Sequence, residues 1–432
     1  MGTGARLLAG ACVAAGLLAF VAARSWSAGG GAPERATTAS VHETLAARTA
    51  RLEARAAAAP DDAAALSDLA MTYLQRARES GDPSFYLLAE GAAQRALAVS
   101  PDEPVALVAA AAIAASKHDF AGALALADRA LAAEPMLAAA HAVRTDALVE
   151  LGRYDDAVAE AQALADIRPD FAAYSRVSYL RELHGDLSGA VDAMRQAIAA
   201  GASVPQDVVW GRVLTGNLLL TAGDINGAAA EYDHASALLP DDPNARAGQA
   251  RLAVARGDLA AAEQHLRAAI AVRPLPEYLA LFGDVLAAQG RDGEARQQYD
   301  TVRAIERLFA ASGVDTDLEL AVFEADHGGD AQAAYAQARA AYARRPSVTA
   351  ADAVAWTAYR AGRLDEARAM IVEAQRLGTR DARFAYHAGM IALASGDAAT
   401  TRAELTAALG ARGVLSPLEY ASARDALAWL SR

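Results

Sequence analysis

The chain has 432 residues, is 54% hydrophobic but only 6% aromatic, and carries a net charge of -13 at pH 7. That acidity excludes a nucleic-acid backbone or an anionic membrane surface as the main ligand. The single cysteine, Cys12, lies near the N-terminus, so the rest of the chain can form no disulfide, Cys-ligated zinc site or cysteine nucleophile. Alanine dominates the apolar fraction and strand-forming residues are sparse, so the expected class is all-α. The sole lysine is Lys117; arginine supplies the other cations, a bias that goes with a GC-rich genome and carries no function.

The first 40 residues read as an address followed by a linker. Arg6 and the free N-terminus make a positive start, Leu7 to Ala23 is an uncharged apolar run, and Arg24 ends it. Such a segment is either a cleaved secretory signal, with a small-x-small site at Val21-Ala22-Ala23 or a poorer one at Ser25-Trp26-Ser27, or an uncleaved anchor. Either way the body is expected to be exported: periplasmic or extracellular, or held at the outer face of the cytoplasmic membrane through residues 7–23. Cys12 lacks a lipobox, because Ala9 stands where leucine is needed and most of the apolar run follows the cysteine. The flexible "SAGGGAPERATTAS" after the run suits a linker.

From there a unit recurs. "LVELGRYDDAVAEAQALADIRPD" (148–170) holds an alanine, Ala157, whose counterparts are Ala89, Ala123, Ala190, Ala228, Ala262, Ala295, Ala334 and Ala367, with Thr401 last. The steps are 33 or 34 residues, except 190 to 228 and 295 to 334, which are stretched. Five residues before most of these alanines stands a glycine, from Gly152 and Gly185 to Gly329, Gly362 and Gly396; His118 is the exception. Seven residues after comes a second small or apolar residue, as at Ala96, Leu164, Ala269 and Ala408. Twelve after comes proline in the better copies: Pro101, Pro135, Pro169, Pro240, Pro274 and Pro346. The glycine ends a first helix in the left-handed conformation, the small residues let two antiparallel helices approach, and the proline stops the second helix. Acidic residues after the proline, as in Pro101-Asp102-Glu103, cap the next helix.

A period of 34 marks a helix–turn–helix solenoid. With its small, small and proline positions in register over 62–413, the chain resembles the tetratricopeptide-repeat family, in a bacterial and exported form. The resemblance implies an α-α superhelix: a right-handed solenoid of about ten helical hairpins over residues 41–415, with a C-terminal capping helix at 416–432. The family's aromatic near the start of each unit is mostly missing, and its glycine at position 8 survives only in places such as Gly216, Gly283 and Gly389. The stretched steps near "GASVPQDV" (201–208) and "SGVDTD" (312–317), and "ESGDPSFY" in the first unit, are expected to be lengthened loops. Residues 41–59 read as an amphipathic half-unit. Ser416, Pro417 and Glu419 read as the capping box of the last helix, with Leu418, Ala421, Leu427 and Leu430 covering the final pair.

No phosphate loop, HExxH zinc motif, paired CxxC or nucleophile elbow is present, so no catalytic residue and no cofactor are assigned, and no enzyme is expected. The one titratable cluster, Glu324, Asp326, His327 and Asp330 in "FEADHGGD", could bind a divalent metal but falls where a helix ends and polar residues belong. The resemblance implies instead that stacked first helices line a concave groove. Its groove-facing positions hold apolar residues in the early units (Val105, Val108, Ala109, Ala112, Ala139, Ala142, Val143), which suit a core wall. Later they hold Arg176, Tyr179, Trp210, Asn217, Arg251, Asp284, Phe323, Trp356, Tyr359, Arg360, Tyr386, His387 and Met390. Aromatics and arginine favour binding hot spots, though aromatics also fill solenoid cores, and both roles stay open for these residues. The Lys/Asn pattern of relatives that clamp a C-terminal carboxylate is absent, with Asn217 alone compatible. The expected function is a scaffold for a protein or peptide segment, not nucleic acid; the alternatives are a structural spacer or self-assembling module, and a metal-dependent site in the groove.

Overall fold

The computed structural model describes residues 43–432 apart from 81, 83, 312 and 412, so the leader and linker expected before residue 41 lie outside the described residues. Every regular element among the described residues is a helix, 22 in all. A lone helix, Leu45–Ala58, comes first, and Thr44 caps it by accepting from the Ala47 N–H. Ten hairpins then follow in chain order. Their first helices are Ala63–Ser80, Pro104–Ser116, Ala138–Glu150, Phe171–Leu183, Pro205–Thr221, Pro243–Arg256, Pro276–Ala288, Asp317–Asp326, Val348–Arg360 and Ala382–Ala394. Their second helices are Ser84–Val99, Phe120–Ala133, Tyr154–Ile167, Leu187–Ala200, Ile225–Leu238, Leu259–Val272, Asp292–Ala311, Ala331–Arg344, Leu364–Ala374 and Ala398–Gly410. Helix Pro417–Trp429 closes the chain. The fold is an all-α superhelix of helical hairpins.

The repeating residues do what their chemistry requires. The alanine series from Ala89 to Ala367, with Thr401, and the second series from Ala96 to Ala408 are all at most 2% exposed, because they stand where the two helices of a hairpin come closest. Each second helix that precedes a repeat proline stops two residues short of it, as Val99 before Pro101 and Leu238 before Pro240. Asp62, Glu103 and Asp242 then accept from the first free N–H groups of the next helix. At the turns inside the third to tenth hairpins a glycine takes a left-handed conformation, φ 75° at Gly185, and in the second His118 adopts it unaided at φ 62°. In the unit that ends its first helix at Asp326 the left-handed residue is Gly328, one earlier than the spacing predicts.

The surviving position-8 glycines have a packing reason. A Cβ on Gly216 would come within 2.7 Å of the Tyr232 ring, one on Gly283 within 2.7 Å of the Tyr299 ring, and one on Gly389 within 2.6 Å of Leu405. Tyr232 is also met from the next hairpin by Gly248, whose Cβ would lie 2.5 Å from the ring. The corresponding places in the second hairpin hold Ala111 and Ala127, both fully buried. The lengthened steps differ from expectation: they go chiefly into helix. Asp292–Ala311 runs to 20 residues, Pro205–Thr221 to 17 and Ala63–Ser80 to 18, where most others have 13 or 14.

The described chain divides into two compact units, residues 43–148 with 155–173, and residues 149–154 with 174–432. In the smaller unit, Thr49, Leu52 and Ala56 of the lone helix are buried, as are the early groove-position residues Val108, Ala109, Ala112, Ala142 and Val143. His141 and Arg144 both engage the buried Glu160. In the larger unit, first helices of successive hairpins pack on one another, 205–221 on 243–256 and 348–360 on both 317–326 and 382–394.

The larger unit also returns on itself. A Cβ on Gly185 would come within 3.3 Å of the Gly378 carbonyl carbon, and one on Gly223 within 3.3 Å of the Gly410 oxygen. Thr379 Oγ1 donates to the Leu183 carbonyl (2.5 Å), and the Val348 N–H donates to the Tyr154 hydroxyl (2.7 Å). Arg345, 5% exposed, sits 3.1 Å from Glu319 and 4.0 Å from Glu150. These partners are separated by 378−185 = 193, 410−223 = 187 and 348−154 = 194 residues, so hairpin turns early in the unit meet inter-hairpin loops late in it at a regular offset.

Candidate peptide-binding groove

The expected groove residues divide into two layers. Arg176, Asp284, Phe323, Trp356, Tyr386 and His387 are buried; Tyr179, Trp210, Asn217, Arg251, Tyr359 and Met390 are half-buried, and Arg360 is exposed. The buried layer is held by specific contacts. Trp356, 2% exposed, stacks on His387 with ring centroids 4.2 Å apart and planes 13° from parallel. Its indole N–H donates to Asp326 (2.7 Å), and it tilts against Tyr386 and Tyr359 at 5.5 and 5.2 Å. His387 Nδ1 lies 2.9 Å from Asp352. Two hairpins earlier in the array, Asp284 accepts from the Tyr299 hydroxyl (2.8 Å) and lies 2.9 Å from His327 Nε2, while His327 stacks on Phe323. In this folded state these buried aromatics and imidazoles are packing residues, because the sparse aromatics of an alanine-rich solenoid are needed to fill its interior.

Each of these carboxylate–imidazole pairs bridges successive first helices. Burial opposes charge on both rings, but the adjacent Asp284 and Asp352 carboxylates win and hold the His327 and His387 pKa values above the ordinary imidazole range. The residues of "FEADHGGD" are likewise engaged separately. Glu324 forms a two-point ion pair with Arg303, Asp326 takes the Trp356 indole and lies 3.8 Å from Arg360, and Asp330 caps helix Ala331–Arg344. Among the described residues, no group of three or more His, Cys, Asp or Glu side chains could hold a metal ion.

The accessible layer mixes aromatic and apolar side chains (Tyr179, Trp210, Tyr359, Met390) with polar ones. Asn217 Oδ1 accepts from the Tyr232 hydroxyl (2.8 Å) and from Arg251 (3.4 Å) in the next hairpin. Arg360 lies over the Trp356 ring at 5.6 Å. Helix Pro417–Trp429 has the expected capping box between Ser416 and Glu419. Its buried face, however, is Ala423 and Ala426, while Leu418 is 39% exposed and Ala421 is exposed. The stripe 419, 423, 426 is set by the capping box, which turns Glu419 inward toward Arg383 (3.6 Å).

Three carboxylates escaped the sequence reading. Burial pushes Glu182, Glu277 and Glu306 up to about 7 each. Asp381 adds to the shift of Glu182; Arg251 and Arg273 moderate that of Glu277; Glu319 and Glu277 add to that of Glu306, while the Thr316 hydroxyl opposes it. Glu306 is 4% exposed and its Oε2 has no hydrogen-bond partner. Glu182 and Glu277 fall at the twelfth and second places of their units, counted from the repeat alanines, positions that the resemblance implies face the groove, but the sequence reading did not single them out. Nothing in the sequence marks Glu306, which lies in the extended part of its helix.

Residues 219–283 match the family model described as tetratricopeptide repeat. None of the curated proteins matches the sequence. Among solved structures, PilW, a type IV pilus biogenesis factor, is 18% identical and aligns over 46% of this chain and 92% of its own, with a TM-score of 0.39. The APC/C hetero-tetramer Cut9-Hcn1 is 12% identical over 90% of this chain and 93% of that one, with a TM-score of 0.38. TTC0263, a thermophilic protein of the same repeat class from Thermus thermophilus, is 22% identical over 38% and 88%, with a TM-score of 0.35. Among the described residues no helix is long and apolar enough to cross a membrane.

Proposed function

We propose that the protein is a non-enzymatic scaffold whose first-helix face in the larger unit receives a segment of another protein, outside the cytoplasm. The fold is that of a protein-interaction module. The observation that carries the groove reading is the layering itself. Packed rings fix a floor, and half-buried polar side chains from different hairpins, Asn217 with Arg251 and Tyr359 beside the exposed Arg360, stand on it. A surface fixed in this way loses little entropy on binding, so the cost of ordering falls on the partner's segment alone. The edge contacts at 150–154 with 345–348, and at 183–185 with 378–380, restrict entry to that face, which favours an extended or single-helix segment over a folded domain. Location outside the cytoplasm rests on the apolar run at 7–23, which also supplies a tether if it is retained.

The test is substitution on the accessible layer. Arg251→Ala with Tyr359→Ala and Arg360→Ala should abolish capture of the native partner, recovered by crosslinking in the host, while leaving the helical circular dichroism unchanged. Undiminished capture would assign binding to another surface.

A further inference from the structure

We propose that the groove receives its partner by exchange: an incoming α-helix, with an acid, a small residue four places on and another three beyond, takes the place of helix Pro417–Trp429. This deepens the scaffold reading and rests on it.

Helix Pro417–Trp429 does more than cover the last hairpin. It packs on both helices of that hairpin, 382–394 and 398–410, and also on helix Pro276–Ala288, the first helix of the seventh hairpin. The residues leading into it behave alike: a Cβ on Gly413 would lie 2.8 Å from the Arg251 carbonyl oxygen, on the first helix of the sixth hairpin. The C-terminal segment thus reaches from the tenth hairpin to the first helices of the sixth and seventh. Its inward stripe is Glu419, Ala423 and Ala426. The two alanines share one apolar cluster with Tyr359, Tyr386 and Met390, three of the residues expected to line the groove. Ser422 meets the Tyr386 hydroxyl, and Glu419 lies 3.6 Å from Arg383 and within electrostatic reach of Asp326 and His387. This end of the first-helix face is therefore already held by a helix, which shows the pattern that the surface accepts.

The hold is slight. A helix is retained in proportion to the apolar area it buries. Here the buried apolar residues are two alanines, while Tyr420 and Leu427 are half-buried and Leu418 and Trp429 are 39% and 64% exposed. The helix before it, Ala398–Gly410, buries Leu405 completely. Any helix with small residues at the same two places can approach as closely. A larger residue there would strike the hairpin, and a segment without the acid would forfeit the Arg383 ion pair. Ala411 and Leu415 are buried, so a displaced helix stays tethered beside the site.

The test uses the full chain and a fluorescein-labelled peptide of residues 416–432, followed by anisotropy. Ala423→Glu in the full chain sets a carboxylate at a position 0% exposed and should free the resident helix. The peptide should bind that variant about tenfold or more tighter than wild type, whose site is occupied. The peptide carrying Ala423→Glu should not bind, and one carrying Glu419→Gln should bind about threefold or more weaker. Equal binding by wild type and variant, binding by neither, or a peptide indifferent to its own substitutions would each overturn the proposal. Hydrogen exchange on the unsubstituted chain guards against a misfolded variant. Amides of 417–429 should exchange about tenfold or more faster than those of 382–394; equal rates would mean that the helix leaves only with the array, and would also overturn it. A photo-crosslinker at Leu281, on the first helix of the seventh hairpin, separates the proposal from the reading beneath. A partner adduct there that Ala423→Glu does not raise ends the exchange and leaves the groove standing. Peptide exchange with no partner adduct leaves the helix site standing and ends the scaffold reading.

Discussion

Gly216→Ala is the sharpest probe of how the hairpins interlock. In an unobstructed helix interior this change stabilises by about 1 kcal/mol, since alanine loses less backbone entropy. Gly91, in helix Ser84–Val99, offers that situation, because a Cβ there has nothing within 4 Å. At Gly216 the new carbon would sit 2.7 Å from Tyr232 Cζ and 2.9 Å from Cδ1. The ring cannot retreat, because Gly248 holds its other approach at 2.5 Å, Tyr232 is fully buried, and its hydroxyl is tied to Asn217. Overpacking of this kind costs about 1–3 kcal/mol, so the net effect should be a loss of about 1–2 kcal/mol, opposite in sign to Gly91→Ala. The remedy is already present in the next hairpin, where Ala250 and Leu266 occupy the corresponding places in one core cluster. The pair Gly216→Ala with Tyr232→Leu should therefore be more stable than the sum of its single changes by about 1 kcal/mol or more. Urea unfolding by circular dichroism measures the totals; hydrogen exchange across helix Pro205–Thr221 is needed beside it, because repeat arrays can lose hairpins piecemeal. Stabilisation by Gly216→Ala, or simple additivity in the pair, would refute the interlocking.

Arg345→Met should destabilise by about 3–5 kcal/mol, because it leaves Glu150 and Glu319 facing one another with no cation between them, and exchange should quicken at both 150–154 and 345–348. Trp356→Phe removes the donor to Asp326 and should cost about 1–3 kcal/mol in urea unfolding. Relative to wild type, Glu306→Gln should gain stability as pH rises from about 4.5 to about 7 and keep that gain at higher pH. The folded-state pKa of Glu306, about 7, lies above the unfolded value, so wild-type stability declines as pH rises through that range, and the variant, with no proton to lose, should not share the decline. His387→Gln should lose most relative to wild type at acid pH. The raised imidazole pKa stabilises fully below the unfolded value, and that contribution fades as pH rises through the folded one; matched unfolding curves across pH would show it.

The repeat was legible because its residues are dictated by backbone and contact geometry that any copy must satisfy. An alanine at a helix crossing, a glycine at a left-handed turn and a proline past a helix end have few substitutes. The groove was less legible because one helix face carries both core and surface. Trp356 and Tyr359 are three residues apart, yet one is buried and the other half-buried. That division depends on what the neighbouring hairpin brings, here His387 and Tyr386. The contacts at an offset of about 190 residues between 150–185 and 345–380 left no periodic trace, since superhelical pitch accumulates from small rotations per repeat. The buried carboxylates stayed hidden because glutamate on a helix usually means a solvated face.

The central claim is best tested by photo-crosslinking in the host from two sites, Leu281 on a first helix and the exposed Val372 on a second helix. The account predicts a discrete protein adduct from Leu281 and none from Val372. Adducts from Val372 alone would move the interaction to the second helices and contradict it.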